Sequence, residues 1–297
     1  MLLPLYYSNI DILIGGGGID YLEGNMGSDL ATGDCVDVLF HDKSLSFIIQ
    51  SITSTSAEIG SEDILVLGEG NDTAIGGQSG DIINSTADFN ILVGDSAQIT
   101  YYSRPLPSPS SEELGFFWSI PKSIETINCE LGGNDYISGG SGTDYIIGGS
   151  FDDKIDANEG SDLVFGDHAK IFLYDINPFK LFNATTTDAS CAMGEDNITL
   201  GGGNNIAFGG SMGDNITGND GNDVILGDFG RYQDIFEFLP NQFFESLTDY
   251  FQFAGADTIH GGAGDDVLMG QGMFFFAFVL CMHVHLKYEV LISHSTL

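Results

Sequence analysis

Asp135, Asp144, Asp153 and Asp162 stand nine residues apart. A chain that folds back on itself every 18 residues would set Asp135 over Asp153 and Asp144 over Asp162. The same spacing pairs Asp63 with Asp81 and Asp196 with Asp214. Carboxylates stacked at one strand spacing, about 4.8 Å, repel each other. A hard divalent cation between them removes the repulsion. Carboxylate and carbonyl oxygens suit Ca²⁺, which accepts six to eight of them in flexible geometry, whereas Mg²⁺ demands a strict octahedron and keeps its waters. Soft metals want Cys and His ligands, which these segments lack. The chemistry on offer is therefore cation binding, and no catalytic constellation accompanies it.

The elements that must position these aspartates follow from the residues around them. The unit is G-G-x-G-x-D-x-U-x, with U aliphatic, and seventeen copies fit. Their sixth positions fall at 11, 20 and 29; at 63, 72, 81 and 90; at 135, 144, 153 and 162; at 196, 205, 214 and 223; and at 257 and 266. That position is Asp everywhere except Asn90 and Asn205. The first six residues must turn tightly, and glycine permits the positive φ angles of such a turn. The last three are extended, with one aliphatic side chain pointing inward. Two units make a coil of turn, strand, turn, strand. Stacked coils bury a column of Ile, Leu and Val and pair their strands in parallel.

GGSGTDYII (139–147) and GGAGDDVLM (261–269) are nearly full matches to this unit, and with them the chain resembles the RTX, or haemolysin-type, calcium-binding nonapeptide repeat. The resemblance covers about half the chain. It implies an all-β fold of parallel β-roll (β-solenoid) blocks, and Ca²⁺ held by Asp side chains and backbone carbonyls of facing turns. It also implies a roll that is disordered without calcium and folds at extracellular calcium levels. Carried over residue by residue, it marks Asp20, Asp29, Asp63, Asp72, Asp81, Asp135, Asp144, Asp153, Asp162, Asp196, Asp214, Asp223, Asp257 and Asp266 as metal ligands. The pairs Asp72/Asn90 and Asn205/Asp223 lack a charge and are expected to bind weakly or stay empty. ANEGSD (157–162) lacks the first glycines.

The units come in blocks of four. Each full block is followed by a Gly-Asp step and an alternating apolar segment: GDSAQITYY at Gly94, GDHAKIFLY at Gly166 and GDFGRYQDIF at Gly227, with GDCVDVLF at Gly33 after the first. These segments are expected to pair with the rolls or to form hairpins. The division is an incomplete first block (1–40), a second roll block (55–99), a linker (100–129), a third block (130–175), a fourth (190–235), the start of a fifth (252–272) and a non-repeat apolar tail (273–297). The linker holds SRPLPSPSSEE, read as an exposed loop. The first block looks cut at its front and the last stops after two units, as in a piece of a longer array. Phe275 stands where the next unit needs Asp, so the tail reads either as foreign to the array or as an apolar cap.

A formal net charge of −35, with only 8 Lys and Arg, excludes nucleic acid and anionic membrane surfaces as partners. Met273–Met282 is too short to span a bilayer, and the start has no basic leader region of a signal peptide. Cys35, Cys129, Cys191 and Cys281 show no zinc spacing and are too few for a disulfide framework. Ser211 lies in a G-x-S-x-G match that is accidental, because it is the third position of a repeat unit, and His168 is expected at the surface. The reading is a non-enzymatic, calcium-dependent structural or adhesive segment of an extracellular protein, with calcium ions and matrix or cell-surface ligands as partners. The alternatives are the accessory array of a larger secreted enzyme or toxin, and a low-affinity calcium reservoir.

Overall fold

In the computed structural model the described residues are 10–41, 49–56, 59–105, 119–174, 181–187, 191, 193–234, 242–247, 252–270 and 276–278. All regular structure among them is β. Two parallel sheets of nine strands form the walls of a roll. The first wall runs Ile12–Ile14, Leu30–Thr32, Thr73–Gly77, Asn90–Asp95, Asp144–Gly149, Leu163–Asp167, Ile206–Phe208, Val224–Leu226 and Val267–Met269. The second runs Tyr21–Glu23, Ile64–Gly68, Ile82–Ser85, Tyr136–Ser138, Lys154–Asp156, Asn197–Thr199, Asn215–Thr217, Thr258–His260 and Phe276–Phe278. Successive nine-residue units alternate between the walls, so two units complete one coil.

The coils of different blocks stack without a break. Tyr136 pairs with Ile82 across the linker, and Asn197 with Lys154 across the next excursion. The short rolls expected from the blocks are thus consecutive stretches of one roll. The segments between them form antiparallel hairpins. Their strands are Val36–Phe40 with Ile49–Ser54, Ala97–Pro105 with Ser119–Thr126, Ala169–Leu173 with Leu181–Thr186, and Gly230–Asp234 with Gln242–Ser246. Neighbouring hairpins pair edge to edge, at Thr100↔Ser51, Ile124↔Ile171 and Ala184↔Tyr232, into one eight-stranded sheet. One hairpin leaves the roll at every second coil. A hairpin is two strands wide, and strands and coils share one spacing of about 4.8 Å. One hairpin per two coils is therefore the frequency at which roll and hairpin sheet stay in register. The Pro/Ser-rich stretch and most of the tail lie outside the described residues.

Burial explains the wording of the units. Inside the roll lies one apolar column, with Leu65, Ile83, Leu92, Ile137, Ile146, Ile155, Val164, Ile198, Ile216, Ile225 and Ile259 fully buried. A second apolar layer fills the space between the first wall and the hairpin sheet. Ile75, Val93, Ile147, Phe165, Phe208 and Leu226 meet Ile52, Ile99, Ile124, Ile171, Ala184 and Tyr232 there. The first wall is buried on both faces, so its strands are continuous apolar runs such as YII, LVF and VIL. The second wall has one solvent face, so its strands carry a single aliphatic between polar residues, as in KID, NIT and TIH.

Candidate metal centres

The roll has two edges, each made of turns. On the plain edge, where the second wall hands over to the first, every turn is a compact nonapeptide turn. On the hairpin edge compact turns alternate with hairpin excursions. The sixth-position side chains form a ladder up each edge. On the plain edge the backbone N–H of Asp11 donates to Asp29 Oδ1, that of Asp29 to Asp72, and that of Asp72 to Asn90. The ladder continues Asn90 to Asp144, Asp144 to Asp162, Asp162 to Asn205, Asn205 to Asp223 and Asp223 to Asp266. On the hairpin edge it runs Asp20 to Asp63, Asp81, Asp135, Asp153, Asp196, Asp214 and Asp257. All fourteen candidate aspartates thus stand in two columns, and thirteen of them, all but Asp20, accept from a backbone amide of an adjacent coil. Vertical neighbours are 18 residues apart within a block, as expected. Across an excursion they are 43 or 54 apart, as at Asp20/Asp63 and Asp81/Asp135.

Twelve of the fourteen are buried, and Asp20 and Asp266, at opposite ends of the roll, are half-buried. One carboxylate oxygen of each except Asp20 is committed to the ladder. The other, Oδ2, is buried without a hydrogen-bond partner in Asp29, Asp63, Asp72, Asp81, Asp135, Asp144, Asp153, Asp162, Asp196, Asp214, Asp223 and Asp266. Burial raises the pKa values of four of these aspartates, with neighbouring carboxylates adding to it: Asp72 and Asp144 to about 7, Asp162 to about 8 and Asp81 to about 9. Asp135, Asp153, Asp196 and Asp214 are pushed well above the usual carboxylate range, again by burial first and by flanking aspartates second.

Beside most of these oxygens sits the first glycine of a turn, whereas Leu67 and Ala157 hold that position before Asp72 and Asp162. A Cβ on Gly148 would come within 3 Å of both Asp153 Oδ2 and the carbonyl of Gly166, and one on Gly76 would meet Asp81 Oδ2 and the carbonyl of Gly94 in the same way. On the plain edge Gly139 stands likewise against Asp144 Oδ2 and the carbonyl of Ala157. These rungs offer an unpartnered carboxylate oxygen and carbonyl oxygens at a place that glycine leaves open. This donor set, all hard oxygen, fits Ca²⁺. Among the described residues no three His, Cys, Asp or Glu side chains converge on one point, so backbone carbonyls have to complete any coordination shell.

This arrangement agrees with a comparison of the whole chain. The family model described as the RTX calcium-binding nonapeptide repeat matches residues 7–34, 60–92, 131–155, 138–167, 199–233 and 254–272, together just over half of the chain. The chain belongs to this calcium-binding repeat family. No curated protein matches it closely enough to count as a relative. The RTX repeat is a calcium-binding module rather than a catalytic one, and the described residues contain no helix long and apolar enough to cross a membrane.

Asn90 shows what an RTX rung does without its charge. Its side-chain N–H₂ donates to the carbonyl of Gly139 at 3.3 Å and to Asp144 Oδ1 at 2.9 Å. The amide bridges a carbonyl and a carboxylate across the turn.

Two features differ from expectation. Cys129 and Cys191 form a disulfide that joins the return arms of the second and third hairpins. Spacing could not reveal it, because the two sites meet only after the hairpins stack. His168 is buried, 2 % exposed, against Ser150, since the residue after a Gly-Asp step turns under the hairpin base. Ser211 lies in a repeat turn, as its third position in the unit implied, and is buried with its hydroxyl donating to Asp167 Oδ2. Sequence reasoning also passed over Asp34, Asp95, Asp167 and Asp228, four more buried aspartates on the hairpin edge. The signal was present, since the Gly-Asp step recurs after every block.

Proposed function

We propose that this RTX chain is a structural or adhesive segment of an extracellular protein whose roll folds when Ca²⁺ occupies the two aspartate columns. The observation that carries the reading is the pair of ladders of buried carboxylates, twelve of which have one oxygen bonded and one orphaned. An uncompensated buried carboxylate costs several kcal/mol even after relaxation. When bound, the ion supplies the positive charge that lets these groups stay ionised in the interior. The fourteen aspartates named from the sequence are the proposed ligands, with the carbonyls of the first-position glycines beside them. The ladder bonds hold each carboxylate in place, and the glycines keep the space open. Because ligands are assembled only in the folded roll, binding and folding are one equilibrium. Each site adds about 2.7 kcal/mol at a free calcium concentration one hundred times its Kd. The Cys129–Cys191 disulfide supports an oxidising, extracellular setting.

The test is a Ca²⁺ titration of the EGTA-treated full chain followed by far-UV circular dichroism, with Mg²⁺ as control. The expected result is a cooperative gain of β signal at millimolar Ca²⁺ and none with Mg²⁺. A full β signal in EGTA at neutral pH, unchanged by Ca²⁺, would defeat the proposal.

A further inference from the structure

We infer that the Gly-Asp steps at the hairpin bases, Asp34 and Asp167, carry additional calcium ligands that make the hairpin edge the tighter of the two columns. The inference rests on the calcium reading above. Each Gly-Asp step occupies the second position of a turn that the hairpin then interrupts. Its aspartate reaches forward to the compact turn of the next coil. Asp34 Oδ2 accepts the N–H of Gln78 at 2.7 Å, and Asp167 Oδ2 accepts the N–H and hydroxyl of Ser211. Asp95 takes the same place, with Oδ2 on the N–H of Ser150 and Oδ1 on that of Gly133.

These carboxylates adjoin the proposed ion column. In the turn 76–81, a Cβ on Gly76 would meet Asp81 Oδ2 and a Cβ on Gly77 would meet Asp34 Oδ2. In the turn 209–214, Gly209 stands against Asp214 Oδ2 and Gly210 against Asp167 Oδ2. Two carboxylates, one from each of two coils, thus flank a Gly-Gly pair. Asp34 repels Asp63 and Asp81, and Asp167 repels Asp196 and Asp214.

The second observation is an open oxygen. Asp34 is 6 % exposed and Asp167 is 4 % exposed, and in both Oδ1 is buried with no hydrogen bond. The backbone amides of Ser61 and Gly194 also approach these carboxylates and favour the charged form. Each stands beside two other carboxylates, Asp34 beside Asp63 and Asp81 and Asp167 beside Asp196 and Asp214. The three do not converge on one point as they stand, so ligation asks Asp34 and Asp167 to turn Oδ1 toward the column. The plain edge has no such residue and carries Asn90 and Asn205 in place of two aspartates. Calcium affinity rises with the number of charged ligands. The hairpin edge, with three carboxylates per site at these coils, should therefore fill first.

Two experiments test this. In a crystal structure of the calcium-loaded full chain, ions on the hairpin edge should lie about 2.3–2.6 Å from Oδ1 of Asp34 or Asp167. Hairpin-edge ions with both residues outside their shells overturn the inference, whatever any variant does. In calorimetric titration of the full chain, the wild type should show two classes of site. Asp34→Asn with Asp167→Asn keeps the Oδ acceptors for the Gln78 and Ser211 amides. It should weaken the tight class about tenfold while the β signal at saturating Ca²⁺ is retained. A folded double variant with an unchanged isotherm would also overturn it. A wild type that binds no Ca²⁺ would instead defeat the calcium reading itself.

Discussion

Move the calcium-free protein from pH 5 to pH 9 and the roll should unfold, the reverse of an ordinary acidic protein. The folded-state pKa values are raised by burial to about 6 for Asp29, Asp34, Asp223 and Asp257, about 7 for Asp72 and Asp144, about 8 for Asp95 and Asp162, and about 9 for Asp81. Each exceeds the ordinary value of 3.8. The folded state therefore holds protons that the unfolded chain has released. Stability is full below about pH 4, falls as pH rises through these values, and levels off above them. Moving a single carboxyl from 3.8 to about 7, as at Asp72, corresponds to roughly 4 kcal/mol. If relaxation and water entry leave about a quarter of that, each group still contributes about 1 kcal/mol. A dozen such groups give on the order of 10 kcal/mol, the whole net stability of a typical domain. The assay is far-UV circular dichroism with thermal melts in EGTA at half-unit steps, with light scattering to score precipitation near the pI of about 4.1. The β signal should weaken progressively above pH 5, and excess Ca²⁺ at pH 8 should restore it. A calcium-free Tm that is flat or rising between pH 5 and pH 9 would refute the argument that the buried columns need neutralising.

Gly148→Ala places a methyl group against Asp153 Oδ2 and the Gly166 carbonyl, so the Ca²⁺ midpoint for folding should rise severalfold. Gly16→Ala meets nothing within 4 Å and has only its φ of +101° against it, so it should lower Tm slightly and leave the midpoint nearly unchanged. Asn90→Asp removes the amide bridge to Gly139 and Asp144; calorimetry should find an extra bound ion, and melts at pH 5 in EGTA should show lower stability. Phe165→Ala removes a ring stacked on Phe208 at 4.7 Å between the first wall and the hairpin sheet, and should cost about 3–5 kcal/mol in denaturant unfolding of the calcium-loaded protein. Cys129→Ser with Cys191→Ser opens a link across 62 residues and should cost about 2–4 kcal/mol in the same assay.

The nine-residue clock was enough to read the coil. Glycine pairs, Asp135 and Ile137 followed by Asp144 and Ile146 specify a turn, a ligand and an inward side chain, all local properties of one chain segment. The i, i+18 neighbours Asp63/Asp81, Asp135/Asp153 and Asp196/Asp214 followed from that coil alone. What joins Asp81 to Asp135 or Asp153 to Asp196 was not legible in this way. Those neighbours depend on where the chain returns after an excursion of variable length, and no local spacing encodes that. The hairpin sheet was half written in the sequence, since the apolar runs YII and LVF exceed what one inward position requires. Only packing shows what the extra side chains Ile147 and Phe165 touch: the inner face of a sheet built from Ile124 and Ile171, two excursions brought edge to edge. The roles of Asp34 and Asp167 were hidden for the same reason. Their partners Gln78 and Ser211 lie one coil away across a hairpin, so the sequence supplied the carboxylates and the tertiary stack decided what they face.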